Sequence, residues 1–185
     1  MLASGSPRRS QLLAGLGLAF IADPPDVDET PLLNEHAVSY VRRLSQLKAS
    51  EVAGEVVIAA DTTVVLEDAI LGKPTDAHDA RRMLASLSGR SHEVLTGVTV
   101  RTPTESRTEV VTTLVTFVQL SAADIEWYVD SGEPMDKAGA YAIQGAGGAF
   151  VGRVDGSVTN VVGLPLAETT AMLADVGHPV RSLRR

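Results

Sequence analysis

Apolar positions recur at two different periods along this chain, and the changes of period divide it into alternating helices and strands. Ser6 followed by Pro7 reads as an N-cap and a first-turn proline, so a helix starts there and stops near Gly15 or Gly17. Ala19 to Ala22 reads as a short strand, and residues 23 to 33 as a proline-containing loop with Asp26, Asp28 and Glu29. A long helix is predicted over residues 35 to 53, with Ala37, Val41 and Leu44 on one stripe and Lys48 within about 40° of it.

The uninterrupted apolar run Val56 to Ala60 predicts a strand covered on both faces. It delivers Asp61 at its C-terminal end, where open α/β sheets bind ligands. Thr62 to Leu66 continues extended, Glu67 and Asp68 turn, and Ala69 to Leu71 returns, a hairpin that would hold Lys73 close to Asp61. Thr75 or Asp76 caps a helix to about Leu87, which Ser88-Gly89 ends. Strands follow near 92 to 101 and 108 to 119, and Ser121 with Asp124 forms a capping box for the helix carrying Trp127 and Tyr128. Residues 132 to 160 are Gly-rich and poorly periodic, and Pro165 opens a final amphipathic helix to about Asp175. Repeats and low-complexity linkers are absent.

A length of 185 residues suits one domain spanning 1–185, or two small lobes sharing one core. With no run of eighteen apolar residues and no apolar stretch behind a basic one, neither a membrane span nor a signal peptide is expected, and the cytoplasm is the expected location. The absence of cysteine removes disulfides, thiol nucleophiles and thiolate metal sites, so any metal would sit on oxygen. A net charge of −7 argues against stable nucleic-acid binding, which rests on many Lys and Arg contacts to phosphates. The basic tail from Arg181 to Arg185 reads as a frayed end.

Arg8 and Arg9 fall in the first turn of the opening helix, where the aligned peptide dipoles already carry positive charge, so each is unfavourable by a few tenths of a kcal/mol unless an anion is near. Free N–H groups, the turn from Ser4 to Ser6 and forked guanidinium donors are what a polyphosphate needs; a capped helix with solvated arginines fits the segment as well. Lys48 either snorkels past the core edge or reaches into a cleft, and helix position alone favours snorkelling. Gly72-Lys73 lacks the upstream glycine of a P-loop, and Gly145 to Gly148 does not complete a dinucleotide fingerprint. His36, His78, His92 and His178 show no metal spacing and read as structural or surface groups. What remains is oxygen-ligand chemistry: Asp61, Asp28 and Glu29 with Arg8, Arg9, Lys48, Lys73 and Lys137, a set that suits Mg²⁺ together with substrate phosphates.

Six segments in order carry a resemblance. They are Ala3 to Arg9, Ala60 to Thr62, Leu71 to Pro74, Ser88 to Val94 with Thr96 to Val98, Glu133 to Gly139 leading to Tyr141 to Gly145, and Gly156-Ser157 with Asn160 to Pro165. On these the chain resembles the Maf family of nucleoside triphosphate pyrophosphatases over nearly its whole length. The resemblance implies an α/β fold, a mixed twisted sheet with flanking helices and two lobes around a central cleft, similar to the inosine triphosphate pyrophosphatase fold. A homodimer and a divalent metal, Mg²⁺ or Mn²⁺, are implied too. So is hydrolysis of a nucleoside triphosphate to the monophosphate and pyrophosphate.

Carried over by motif, Asp61 looks like the proton acceptor for water attacking the α-phosphorus, with Glu29 helping it bind the metal. Arg8, Thr62 and Gln144 look like the positions that tune substrate choice. Ser4, Ser6, Arg8, Arg9, Lys48, Lys73 and Lys137 would hold phosphates. The pair Asp61-Thr62 with Ile143-Gln144-Gly145 resembles the branch acting on dTTP and UTP, with modified pyrimidines left open. Maf-like proteins are also linked to arrest of septum formation, which keeps a second reading, a nucleotide-binding regulator of division without turnover. The enzyme reading requires Asp61 to face these cations rather than the apolar interior. Family members usually carry several apolar residues before this segment, whereas only Met1-Leu2 precede Ala3 here, so either translation begins upstream of the given start or the first strand is shortened, which would weaken the platform beneath Arg8.

Overall fold

The computed structural model describes residues 1–183; Arg184 and Arg185, the end of the tail read as frayed, lie outside the described residues. Among the described residues six strands form one mixed sheet: β1 (Leu2–Ala3), β2 (Val57–Leu66), β3 (Ala69–Leu71), β4 (Ser91–Arg101), β5 (Ser106–Phe117) and β6 (Val151–Asp155). Its order is β1-β2-β4-β5-β6, with β3 paired to β2. β1 runs parallel to β2, Leu2 against Ile58, whereas β3 is antiparallel to β2 and β6 to β5. The helices are α1 (Pro7–Gly15), α2 (Ala37–Glu51), α3 (Ala77–Leu87), α4 (Ala122–Asp130), α5 (Val158–Val162), α6 (Leu166–Asp175) and α7 (Val180–Leu183). None of them is long and apolar enough to cross a membrane.

Local rules account for most of these boundaries. Ser6, Asp76 and Ser121 cap α1, α3 and α4 through their side chains, and Ser121 with Asp124 makes the reciprocal capping box. Burial decides where propensity does not. Leu13 of α1 is fully buried, worth about 2 kcal/mol, which outweighs the few tenths lost to the basic first turn.

Three expectations change. Ala19 to Ala22 forms no strand beyond a bridge from Ala22 to Leu2, because two-residue β1 offers no longer partner. Asp61 is not at a strand tip: β2 runs on through it, since pairing with β3 keeps Thr62 to Leu66 extended. The poorly periodic segment holds three 3₁₀ turns (Glu133–Asp136, Ala138–Ala140 and Ala146–Phe150) before β6 and α5. Five-residue β6, broken by Gly152, owes its shape to pairing with β5 rather than to any period of its own.

The chain divides into two compact units, the first being Met1–Asp61, Thr96–Val111 and everything from Gly163 onward. Its core gathers Leu2, Leu13, Ile58, Val98, Val100, Leu164, Met172 and Leu173. Against β4 in this unit lies α2, held at close range. A Cβ on Gly97 would collide with the backbone carbonyl of Val41. Ser45 and Thr99 hydroxyls meet at 3.0 Å, and the Arg101 guanidinium donates to the carbonyls of Ala49 at 2.8 Å and Val52 at 2.5 Å. A cation on the last carbonyls of α2 also complements its dipole.

The second unit comprises Thr62–Leu95 and Thr112–Val162. Val64, Leu84, Leu87, Val94, Val115, Phe117, Tyr128 and Phe150 form its core.

Candidate active site

In the first unit the Lys48 ammonium lies between two carboxylates, 2.6 Å from Asp61 Oδ1 and 2.5 Å from Glu29 Oε1. The side chains of Lys48 and Asp61 are 10% and 9% exposed, that of Glu29 47%. Snorkelling, favoured from helix position alone, is therefore wrong for Lys48. A buried ammonium needs a counter-charge, and Asp61 supplies it where the stripe alone shows only the core edge. Asp61 is buried, yet it faces a cation rather than the apolar interior.

The start of α1 belongs to the same unit. Arg9 donates through Nε to the Gly163 carbonyl at 2.7 Å and through a terminal nitrogen to Ser4 Oγ at 3.0 Å, while Ser4 Oγ also accepts the Ser6 N–H at 3.2 Å. Burial holds the Arg9 guanidinium below arginine's ordinary pKa and Arg8 adds to the effect, against the opposing pull of Asp61 and Glu29. Ser4, Ser6, Arg8 and Arg9 thus form one polar cluster whose charges feel the carboxylate pair.

Glu29 stands on the acidic loop, which α2 pins. Tyr40 donates its hydroxyl to the Glu29 carbonyl at 2.9 Å. Arg43 forks onto Glu35 with two bonds of 2.7 Å and reaches the Thr30 carbonyl at 3.2 Å. Burial, then Asp61 and Glu29, pushes the Tyr40 hydroxyl up to about 12, so it stays a donor at neutral pH. Sequence reasoning missed Tyr40, Arg43 and Glu35. Their signal was the i, i+3 spacing of an aromatic and an arginine on the helix that carries Lys48.

Thr62, Lys73, Lys137 and Gln144 belong to the second unit. Thr62 is half-buried on β2, and Lys73 is exposed two residues past β3. Lys137 donates to the carbonyl of Glu133 at 2.7 Å and to the Asp136 carboxylate, so its ammonium is held by its own turn. Gln144 is exposed, between Ala142, whose N–H donates to the Tyr128 hydroxyl, and the Ala146–Gly147 backbone, which one carboxylate holds. That carboxylate belongs to Glu133, which sequence reasoning quoted within a motif without giving it a role. Its Oε1 accepts from Tyr128 at 2.7 Å and from the Gly147 N–H at 3.2 Å, and its Oε2 accepts from the Ala146 N–H at 3.1 Å. Burial pushes the Glu133 carboxyl up; these bonds and Lys137 more than offset it and leave it below the usual carboxylate range.

Among the described residues no three His, Asp or Glu side chains converge as a metal-binding group; Glu29 and Asp61 are the carboxylates that meet, through Lys48. His92 is buried with Nε2 2.9 Å from the Tyr141 hydroxyl, a structural placement.

A dTTP/UTP pyrophosphatase of Anaeromyxobacter dehalogenans (strain 2CP-C) is 58% identical over 184 residues, covering 97% of this chain and 95% of its own. The protein of the same name from Myxococcus xanthus (strain DK1622) is 54% identical over 184 residues, with 97% and 93% covered. That of Shewanella oneidensis (strain MR-1) is 49% identical over 189 residues, with 96% and 97% covered. The family model described as Maf-like protein matches residues 1–176, and the chain belongs to that family.

Proposed function

We propose that this chain hydrolyses pyrimidine nucleoside triphosphates, dTTP and UTP foremost, to the monophosphate and pyrophosphate. The observation that carries the reading is the buried pair of Asp61 and Lys48, joined by the half-exposed Glu29 and set in one unit with the Arg8 and Arg9 cluster. A buried acid paired with a lysine, with guanidinium groups near, provides a proton acceptor and the cations that phosphoryl chemistry needs for positioning and charge neutralisation. The names of the relatives at 49% to 58% identity supply the substrate class.

In this reaction water forms a bond to the α-phosphorus as the bond from that phosphorus to the α,β-bridging oxygen breaks. The proton passes to Asp61 and the electron pair leaves with pyrophosphate. Arg8, Arg9, Ser4, Ser6, Lys48, Lys73 and Lys137 take phosphate oxygens, and Arg8, Thr62 and Gln144 select the base and sugar. Gln144 suits that role because an amide both donates to and accepts from a base edge.

Glu29 and Asp61 are hard oxygen donors that already hold one cation, the Lys48 ammonium, which is the donor chemistry Mg²⁺ or Mn²⁺ takes when phosphates and water complete its shell. Those two residues would hold the ion, and its contribution is charge neutralisation and acidification of water. The family resemblance supports two further parts of the reading, a homodimer and a cytoplasmic location.

Asp61→Asn provides the test. With dTTP, UTP, CTP and GTP in the presence of Mg²⁺, the unchanged chain is expected to release pyrophosphate from the first two. The variant should lose turnover while keeping nucleotide binding. Orthophosphate with a diphosphate product would overturn the reaction class, and full turnover by Asp61→Asn would remove Asp61 from its role. Binding without turnover by the unchanged chain would favour the division regulator.

A further inference from the structure

We infer that Glu133 is a positioning residue for substrate selection, fixing the segment that presents Gln144 and the Lys137 ammonium at the same time. The inference rests on the reading of Gln144 as the base-selecting amide and of Lys137 as a phosphate ligand. Three backbone N–H groups bracket Gln144, those of Ala142 on one side and Ala146 and Gly147 on the other. Ala146 donates to Glu133 Oε2 at 3.1 Å and Gly147 to Oε1 at 3.2 Å. Ala142 donates at 3.0 Å to the Tyr128 hydroxyl, which in turn donates to Glu133 Oε1 at 2.7 Å. All three therefore end, directly or through one hydroxyl, on a single carboxylate.

The backbone of this segment lies close enough to these side chains that glycine is needed at positions 145 and 147. A Cβ on Gly145 would run into the Glu133 carboxylate, and one on Gly147 would come within 2.6 Å of the Tyr128 hydroxyl. Tyr128 has no exposed surface, so the hydroxyl cannot swing away to another partner. On the other side of the same residue, the Glu133 carbonyl accepts from Lys137 Nζ at 2.7 Å. Chemistry requires a carboxylate here. Three donors converge on its two oxygens, and a carboxylate accepts at both, whereas an amide would turn its NH₂ against at least one N–H. The half-buried Glu133 thus converts the fixed position of α4, through Tyr128, into the position of an exposed glutamine.

The test is a pair of variants, Glu133→Gln and Gln144→Ala, and their double, assayed for pyrophosphate release from dTTP and GTP. Glu133→Gln is expected to lower the ratio of kcat/KM for dTTP to that for GTP by about tenfold, mainly through KM, because a displaced hydrogen-bonding group no longer rejects the wrong base. The double variant should match the ratio of Gln144→Ala alone, since Glu133 acts through Gln144. A second arm reads the clamp itself: the wild-type Ala146 and Gly147 amides should exchange slowly, and Tyr128→Phe, which removes the bond to Glu133 and the bond from Ala142 without changing charge, should lower the ratio in the same direction. An active wild type combined with an unchanged ratio in a folded Glu133→Gln variant overturns the inference alone. Multiplicative losses in the double variant, or fast exchange at Ala146 and Gly147, overturn it too. A wild type that releases no pyrophosphate from dTTP overturns the proposed function instead, while the exchange measurement still reads the clamp.

Discussion

Acidification should destabilise this protein through one buried imidazole. His92 is 2% exposed, edge-on to Phe117 with centroids 5.0 Å apart and to Tyr141 at 5.4 Å. Its Nδ1 has no hydrogen-bond partner, so a proton there would place a bare charge among aromatic rings. Burial accordingly pulls the His92 pKa from 6.5 down to about 4. The unfolded chain therefore binds a proton as pH falls through about 6.5, whereas the folded chain does not until about 4, and stability falls across that window. A drop of about 2.5 units at about 1.4 kcal/mol each gives about 3 kcal/mol in full, most of it lost by about pH 4.5. That is a large share of a typical folding free energy of about 5–15 kcal/mol. Urea unfolding of the wild type and of His92→Phe, each at pH 7.5 and 4.5, isolates this contribution from that of the carboxylates common to both. The variant should lose about 2 kcal/mol less on acidification than the wild type. Equal losses in the two proteins would refute the reasoning.

Two further substitutions probe how the buried Lys48 is placed. Gly97→Ala drives a methyl group into the Val41 carbonyl and should cost about 1–3 kcal/mol in urea unfolding, with turnover reduced because α2 carries Lys48; wild-type values for both would show that the helix and strand have slack. Lys48→Met removes the counter-charge of buried Asp61 and should cost about 3 kcal/mol at pH 7, measured by urea unfolding. An unaltered midpoint would mean that the pair contributes nothing to folding.

The fold was legible where short-range chemistry determines it. Caps at Ser6, Asp76 and Ser121 and the turn at Glu67 place four boundaries, and each is a contact between neighbours in sequence. β6 was not legible, because Val-Gly-Arg-Val-Asp has no period and becomes a strand by pairing with β5. The same division separates the site residues. Asp61 stood out as an acid after an apolar run, although β2 continues through it, because a run of apolar residues marks where burial changes rather than where pairing stops. The Lys48 environment lay beyond periodicity. Its two partners come from positions 29 and 61, and only the tertiary fold brings a loop and a strand to one ammonium. Motif resemblance brought Glu133 into view without its role, since its bonds run to backbone N–H groups that leave no trace in residue identity.

These bonds suggest why the first unit's site and its stability are hard to separate. α2 is fixed from beneath by Gly97, Ser45 with Thr99, and Arg101 on its last carbonyls. From that fixed helix Lys48 reaches Asp61, while Tyr40 and Arg43 hold the loop bearing Glu29. Each of the two carboxylates is thus positioned by the helix that supplies their cation, one directly and one through a loop. Two carboxylates sharing one ammonium keep their mutual repulsion in check without substrate, and the half-exposed Glu29, having lost less hydration than Asp61, is the one released at lower cost when another cation competes. Tyr40 and Arg43 hold the backbone of the loop that carries the half-exposed Glu29, so under the proposal that Glu29 holds the metal, its change of partner disturbs the core less than one at buried Asp61 would.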